Sequence, residues 1–218
     1  DSIKEFDDFM LQIVASGIPV EVVPSQTDPT TSNWPQRPLH SSLMPRSGTS
    51  ALVTCTPNPY SSKHDQRLMV GTDGKNIKDM CESIVLPTSS HTPTAASGDD
   101  GASANGNKEG DTQETREYTK LTETQALQRC LEWSHICPTG PDSVPTVPHA
   151  KIDPMILIDV PDIYFAGNGA EFSSNVVTSH GSETLAINIP AFSSTGEAAL
   201  VNLRKLTAEP IKFDDASM

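Results

Sequence analysis

Between residue 87 and about residue 118 the chain runs through Ser, Thr, Gly, Asn and Asp with almost no apolar side chain. A segment this poor in burial cannot offset the entropy of ordering it, so the sequence predicts a disordered insertion there. Any compact fold has to be built from what lies on either side. Compact domains seldom carry so long a structureless loop, so the insertion is expected to divide two lobes of one fold. The chain then divides into a first lobe over 1–86, the insertion over 87–120, and a second lobe over 121–213. With 218 residues, 35% of them hydrophobic, the count favours one domain of ordinary core size. The 18 Pro and 13 Gly mark much of the length as connection.

The first lobe opens on Ile3, Phe6, Met10, Ile13 and Val14 at helical spacing, which predicts an amphipathic helix over 2–15 laid on a core and ended by Gly17. The β-branched run 18–23 suits a strand buried beneath that helix. Residues 50–56 and 67–71 read as further strands, and 76–84 as a short helix after the Gly71-Thr72-Asp73-Gly74 turn. Beyond the insertion, Thr122-Glu123-Thr124-Gln125 forms a capping box ahead of Ala126, Leu127, Cys130, Leu131 and Trp133. Short runs at 155–159, 163–166, 175–178, 184–189 and 198–203 predict a strand-rich last third, an antiparallel sheet or half of a sandwich. The fold class expected is therefore α/β: a layered β-sandwich flanked by helices.

Charge restricts function. With 28 acidic and 15 basic residues the net charge is -13, which repels a phosphate backbone, so DNA is not expected as a direct partner. The cysteines Cys55, Cys81, Cys130 and Cys137 lack C-x-x-C spacing, which suggests neither a zinc knuckle nor a redox dithiol and reads as reduced thiols of an intracellular protein. No apolar run approaches the roughly 20 residues that span a bilayer, so no membrane partner is expected. The start at Asp1, inside a helical pattern, suggests the C-terminal piece of a longer protein.

Three ordered blocks carry a resemblance. The first is Val22-Val23-Pro24-Ser25-Gln26-Thr27-Asp28-Pro29-Thr30 with Pro35-Gln36-Arg37-Pro38-Leu39-His40. The second is Leu131-Glu132-Trp133-Ser134-His135-Ile136-Cys137-Pro138-Thr139-Gly140-Pro141-Asp142 with Asp153-Pro154. The third is Pro161-Asp162-Ile163-Tyr164-Phe165-Ala166-Gly167-Asn168 with Pro190-Ala191-Phe192-Ser193 and Leu200-Val201-Asn202-Leu203-Arg204. Together with Asn58-Pro59-Tyr60 and Gly71-Thr72-Asp73-Gly74-Lys75-Asn76, they resemble the small-subunit family of eukaryotic DNA polymerase delta over nearly everything except the insertion.

The resemblance implies the later part of a calcineurin-like, metallophosphoesterase-like domain, preceded in the whole protein by an oligonucleotide/oligosaccharide-binding domain. It also implies a nuclear, non-catalytic accessory subunit of a replicative polymerase, acting in DNA replication and repair. The expected partners are the cysteine-rich C-terminal domain of the catalytic subunit and a further accessory subunit, with DNA reached only through the complex. Active members of this fold bind two metal ions through His, Asp and Asn ligands at strand ends. Where they carry G-N-H-D or G-N-H-E this chain has Ser25-Gln26-Thr27-Asp28, and where they carry G-H-x-H it has Gly167-Asn168-Gly169-Ala170. No catalytic residue, metal or cofactor is therefore expected. Asp28, Asn168 and His135 remain as vestigial ligand positions, with His135 better read as a packed, hydrogen-bonded residue and Asp28 as a turn or cap. His40, His64, His91, His149 and His180 receive no role, and the acidic side chains between Asp99 and Glu117 read as a solvated tract. The alternatives are an active metal-dependent phosphoesterase or exonuclease, and the small subunit of polymerase alpha or epsilon.

Overall fold

In the computed structural model the described residues are 2–87, 118–149 and 151–213; the expected disordered insertion lies almost wholly outside them. Helix α1 (Ser2–Ala15) forms where the apolar spacing predicts it. Its packing differs from expectation: only Met10 and Asp7 are buried, while Ile3, Phe6 and Phe9 stay exposed. A polar anchor holds the helix. The Asp7 carboxylate accepts the Ser47 N–H at 2.8 Å, the Ser47 hydroxyl at 2.6 Å and the Arg46 N–H at 3.1 Å, and Asp8 pairs with the Arg46 guanidinium. Burial works against the Asp7 charge, but those donors outweigh it and lower its pKa.

After the Gly17 turn, β1 (Val20–Val22) pairs in parallel with β2 (Val53–Cys55), a two-stranded sheet separate from the main one. The main sheet begins with the hairpin of β3 (Tyr60–His64) and β4 (Arg67–Thr72). Its turn residues Asp65 and Gln66 both hold positive φ, the geometry that matches the twist of two flanking strands. On β3 the Tyr60 hydroxyl meets the Glu21 carboxylate and lies 2.7 Å from His64 Nε2. Burial and that carboxylate push the Tyr60 pKa up to about 12.

Helix α2 (Lys75–Ser83) leads to β5 (Val85–Pro87), which pairs antiparallel with β6 (Tyr118–Lys120). Helix α3 (Glu123–Glu132) follows with both arms of the predicted capping box made: Thr122 Oγ1 accepts the Gln125 N–H at 3.3 Å, and Gln125 Oε1 accepts the Thr122 N–H at 3.0 Å. Then come β7 (Ile163–Gly169), β8 (Ser173–Ser179), β9 (Ser182–Pro190), the single turn α4 (Phe192–Thr195), β10 (Glu197–Asn202) and β11 (Thr207–Lys212).

The main sheet has the order β3-β4-β7-β9-β8. It is mixed, which corrects the antiparallel expectation: β7 runs parallel to both β4 and β9. Two connections account for it: the long one through α2 and α3 returns the chain to the same end of the sheet before β7, and β8 carries it back along the far edge before β9 inserts beside β7. Side chains then sort by the two-residue period of a strand. Tyr164, Ala166, Val177 and Ala186 face the helical layer with Ile77, Met80, Leu127 and Leu131, whereas Ile163, Leu185 and Ile187 face the β10–β11 hairpin. Helices cover one face and a hairpin the other.

The run 155–159 is not a strand. Met155 is buried and its N–H bonds Asp153 Oδ1 at 2.8 Å, Ile156 forms only an isolated bridge to His135, and Ile158 is exposed. Its burial alternates from Met155 to Ile158, but among the described residues no strand lies beside it. Among the described residues no helix is long and apolar enough to cross a membrane.

Candidate functional site

The turn after β1 is closed by Asp28. Its carboxylate accepts the Ser25 N–H at 2.7 Å, while its own N–H donates to the Ser25 carbonyl at 3.1 Å. The Asp therefore acts as the turn residue that its place before Pro29 suggests. Ser25 Oγ in turn donates to Asp73 Oδ2 at 3.3 Å, at the end of β4. Asp73 Oδ1 accepts the Lys75 N–H at 3.3 Å, one of the free donors at the start of α2.

Asn168 completes the crest from a bulge near the end of β7, where the register with β9 shifts between Ala166 and Gly169. It holds φ +53°, a conformation that Asn tolerates, and its Nδ2 donates to the Asp73 carbonyl at 3.0 Å. The bulge lies directly on the β4–α2 turn: a Cβ built on Gly74 would come within 1.9 Å of the Gly167 carbonyl oxygen, and Gly74 itself sits at φ +88°. Only glycine fits there. Asp28 and Asn168 are thus brought to one crest, linked through Ser25 and Asp73.

His135 is held elsewhere. Its Nδ1 accepts the Cys137 N–H at 3.2 Å and its Nε2 faces Asp153 Oδ2 at 3.4 Å, contacts that fix the segment after α3 and join it to none of the four crest residues. Neutral tautomer choice follows from them: with Nδ1 accepting, the proton sits on Nε2, toward the carboxylate. Among the described residues no three His, Cys, Asp or Glu side chains stand together in a way that could hold a metal ion.

Beneath the crest lies a polar residue that sequence reasoning did not single out. Asn76, fully buried, accepts the Thr72 hydroxyl at 2.8 Å and donates to the Ile136 carbonyl at 2.6 Å and the Tyr164 hydroxyl at 3.4 Å. It ties the end of β4, the segment after α3 and β7 to one amide. The signal available was its place in the Gly71-Thr72-Asp73-Gly74-Lys75-Asn76 string. Asp162, at the other end of β7, does similar work: burial opposes its charge, but the Leu68 N–H at 2.8 Å and the Arg67 guanidinium at 2.7 Å lower its pKa.

The cysteines form no disulfide. Burial pushes the thiols of Cys81, Cys130 and Cys137 up to about 11, 12 and 11, which keeps them protonated at neutral pH and poor nucleophiles. At the crest, the side chains of Asp28, Asp73 and Asn168 hold backbone turns.

Comparison with known proteins accords with the three sequence blocks. The chain is 31% identical over 221 residues to the DNA polymerase delta small subunit of Saccharomyces cerevisiae, covering 98% of this chain and 43% of the relative. It is 29% identical over 200 residues to DNA polymerase delta subunit 2 of Drosophila melanogaster, 91% of this chain and 38% of the relative. It is 28% identical over 214 residues to the DNA polymerase delta small subunit of Oryza sativa, 98% of this chain and 42% of the relative. The chain therefore spans less than half the length of these curated relatives. Residues 1–174, most of the chain, match the model of the DNA polymerase alpha/epsilon B-subunit family, and the chain belongs to that family.

Proposed function

We propose that this chain is part of a non-catalytic accessory subunit of a DNA polymerase delta complex, in which a phosphodiesterase-like domain has given up metal chemistry and offers its surface to other subunits. In this reading 1–86 and 121–213 are two portions of that one domain with 87–120 inserted between them. The partners are the catalytic subunit, through its cysteine-rich C-terminal domain, and a further accessory subunit. DNA is met only through the assembled complex, in the nucleus, during replication and repair. The delta relatives favour this polymerase over alpha or epsilon.

The observation that carries the reading is the chemistry of the crest. Two-metal hydrolysis needs several imidazole and carboxylate ligands converging on adjacent ions. The ligand positions of the active pattern hold Gln26, Thr27, Asp28, Asn168 and Ala170, with no histidine among them, and the Asp28 and Asn168 side chains each brace a neighbouring backbone group. These residues do not fit a two-metal centre. The test is co-expression of the whole subunit with the catalytic subunit. We expect a complex that survives purification, and no manganese-dependent hydrolysis of bis(p-nitrophenyl) phosphate by the accessory subunit on its own. Failure to form the complex would overturn the scaffold, and chelator-sensitive hydrolysis would restore the active phosphoesterase.

A further inference from the structure

Strand β3 lies at one edge of the main sheet, with β4 as its neighbour on the other side. Its two-residue turn fixes which backbone groups face outward. His64 and Arg67 flank that turn as a hydrogen-bonded pair, so the pairs Ser62 with Met69 and Tyr60 with Gly71 are hydrogen-bonded too, and Ser61 and Lys63 alternate with them. The N–H and C=O of Ser61 and Lys63 therefore point away from β4. Among the described residues neither makes a backbone bond on that side, and both residues are exposed.

The same two residues border a groove of about 600 Å³. Val70 and Leu68, cross-strand neighbours of Ser61 and Lys63, line it together with Ile136 and Ile156 and with Pro57 and Pro59 just ahead of the strand. The prolines beside the strand have no N–H to donate, so they cannot extend the ladder themselves. Charge at the rim is specific. Arg67 is paired with Asp162 and His64 faces Glu21, whereas Lys63 has no ion pair among the described residues of a chain whose net charge is -13. Asp159 stands among the other lining residues and disfavours a second acid there.

We infer that the β3 edge and its groove take an extended segment of another polymerase subunit as an added strand. The Ser61 and Lys63 backbone groups pair with it, its apolar side chains enter the groove, and an acidic side chain meets Lys63. Main-chain bonds supply affinity in such additions and the side-chain groove supplies selection. The inference rests on the scaffold reading above and gives it one surface.

The test is amide hydrogen exchange over β3 in the full-length subunit, alone and in the polymerase assembled from its co-expressed subunits. Exchange at Ser61 and Lys63 should be fast in the free subunit and at least tenfold slower in the complex. Lys63→Glu, an exposed change that leaves the sheet ladder intact, should weaken assembly at least tenfold. Ser61→Pro, which deletes one outward N–H, should do the same, while Thr178→Pro on the opposite edge strand should leave assembly unchanged. A complex that forms normally with β3 exchange unaltered, with Lys63→Glu binding like the parent, or with β3 already protected in the free subunit overturns the edge and spares the scaffold. No complex at all overturns both.

Discussion

Replacing Asn76 by Ala should cost far more than its size suggests. The side chain is fully buried and serves three segments at once, through Thr72, Ile136 and Tyr164. Truncation takes from the Ile136 carbonyl its amide donor, leaving only the Cys130 thiol at 3.5 Å, and from the Thr72 hydroxyl the acceptor for its proton, in a buried site. Each buried group left unsatisfied costs about 1–3 kcal/mol, and the small void adds to it, so a loss of about 3–5 kcal/mol is expected. In a domain of this size that corresponds to a fall in Tm on the order of 10 °C. Urea unfolding of the intact subunit, followed by intrinsic fluorescence, should show a lower midpoint with an unchanged slope. Asn76→Asp is the sharper variant: it keeps the acceptor for Thr72 but sets a carboxylate against the Ile136 carbonyl, so it should be at least as damaging as Ala. A loss below about 1 kcal/mol for either variant, or an Asn76→Leu protein as stable as the parent, would refute the view that this amide is the joint between β4, β7 and the segment after α3.

Further outcomes follow from other contacts. Gly74→Ala should prevent or severely weaken folding, because the added methyl meets the Gly167 carbonyl at 1.9 Å and the backbone is left-handed; near-parental thermal stability would contradict the close approach. Leu127→Ala, in the helical layer of the core, should cost about 2–5 kcal/mol in the same unfolding assay, and a loss under about 1 kcal/mol would mean the site is poorly packed. Asp7 and Asp162 have folded pKa values below their ordinary 3.8, so the unfolded state binds their protons first as the solution is acidified. Their contribution is complete above 3.8 and is lost as pH falls through the lower folded values; with Asp7→Asn and Asp162→Asn combined, the acid-induced drop in stability should be shallower than in the parent. A thiol reagent should modify partly exposed Cys55 first and reach buried Cys130 and Cys137 only at the rate of global unfolding; equal rates for all four would contradict their burial.

The elements with strong periodic or capping signals were legible before the structure: α1 from its spacing, α3 from Thr122 and Gln125, and β7 to β10 from their short apolar runs. Partnership was not. The apolar run at 155–159 does not distinguish the inward Met155 from the outward Ile156 and Ile158, and it carries no information on whether a second strand lies alongside. Strand β3 was missed because Ser61, Ser62 and Lys63 carry little hydrophobic signal, and β11 because Thr207 to Lys212 is mostly exposed. Polar anchors were hidden for a related reason: Asp7 and Asn76 sit in helices among residues that read as the solvated side, and only the fold turns them inward. Asp28 and Asn168 lie at neighbouring turns joined through Ser25 and Asp73, a proximity that no spacing in the sequence encodes, whereas His135 lies in a separate loop beside Asp153.

The short β5–β6 ladder lets the chain depart at Pro87 and come back at Tyr118 as adjacent neighbours; it begins directly after the Ile84 cap of α2 and ends directly before Leu121 and the Thr122 cap of α3. That clasp fixes the spacing of the two helix ends independently of how many residues are spliced in between. A change in the length of the segment between Pro87 and Tyr118 should therefore leave the interior behind the ladder in register, and a reporter tag inserted there should leave the α2 and α3 packing untouched.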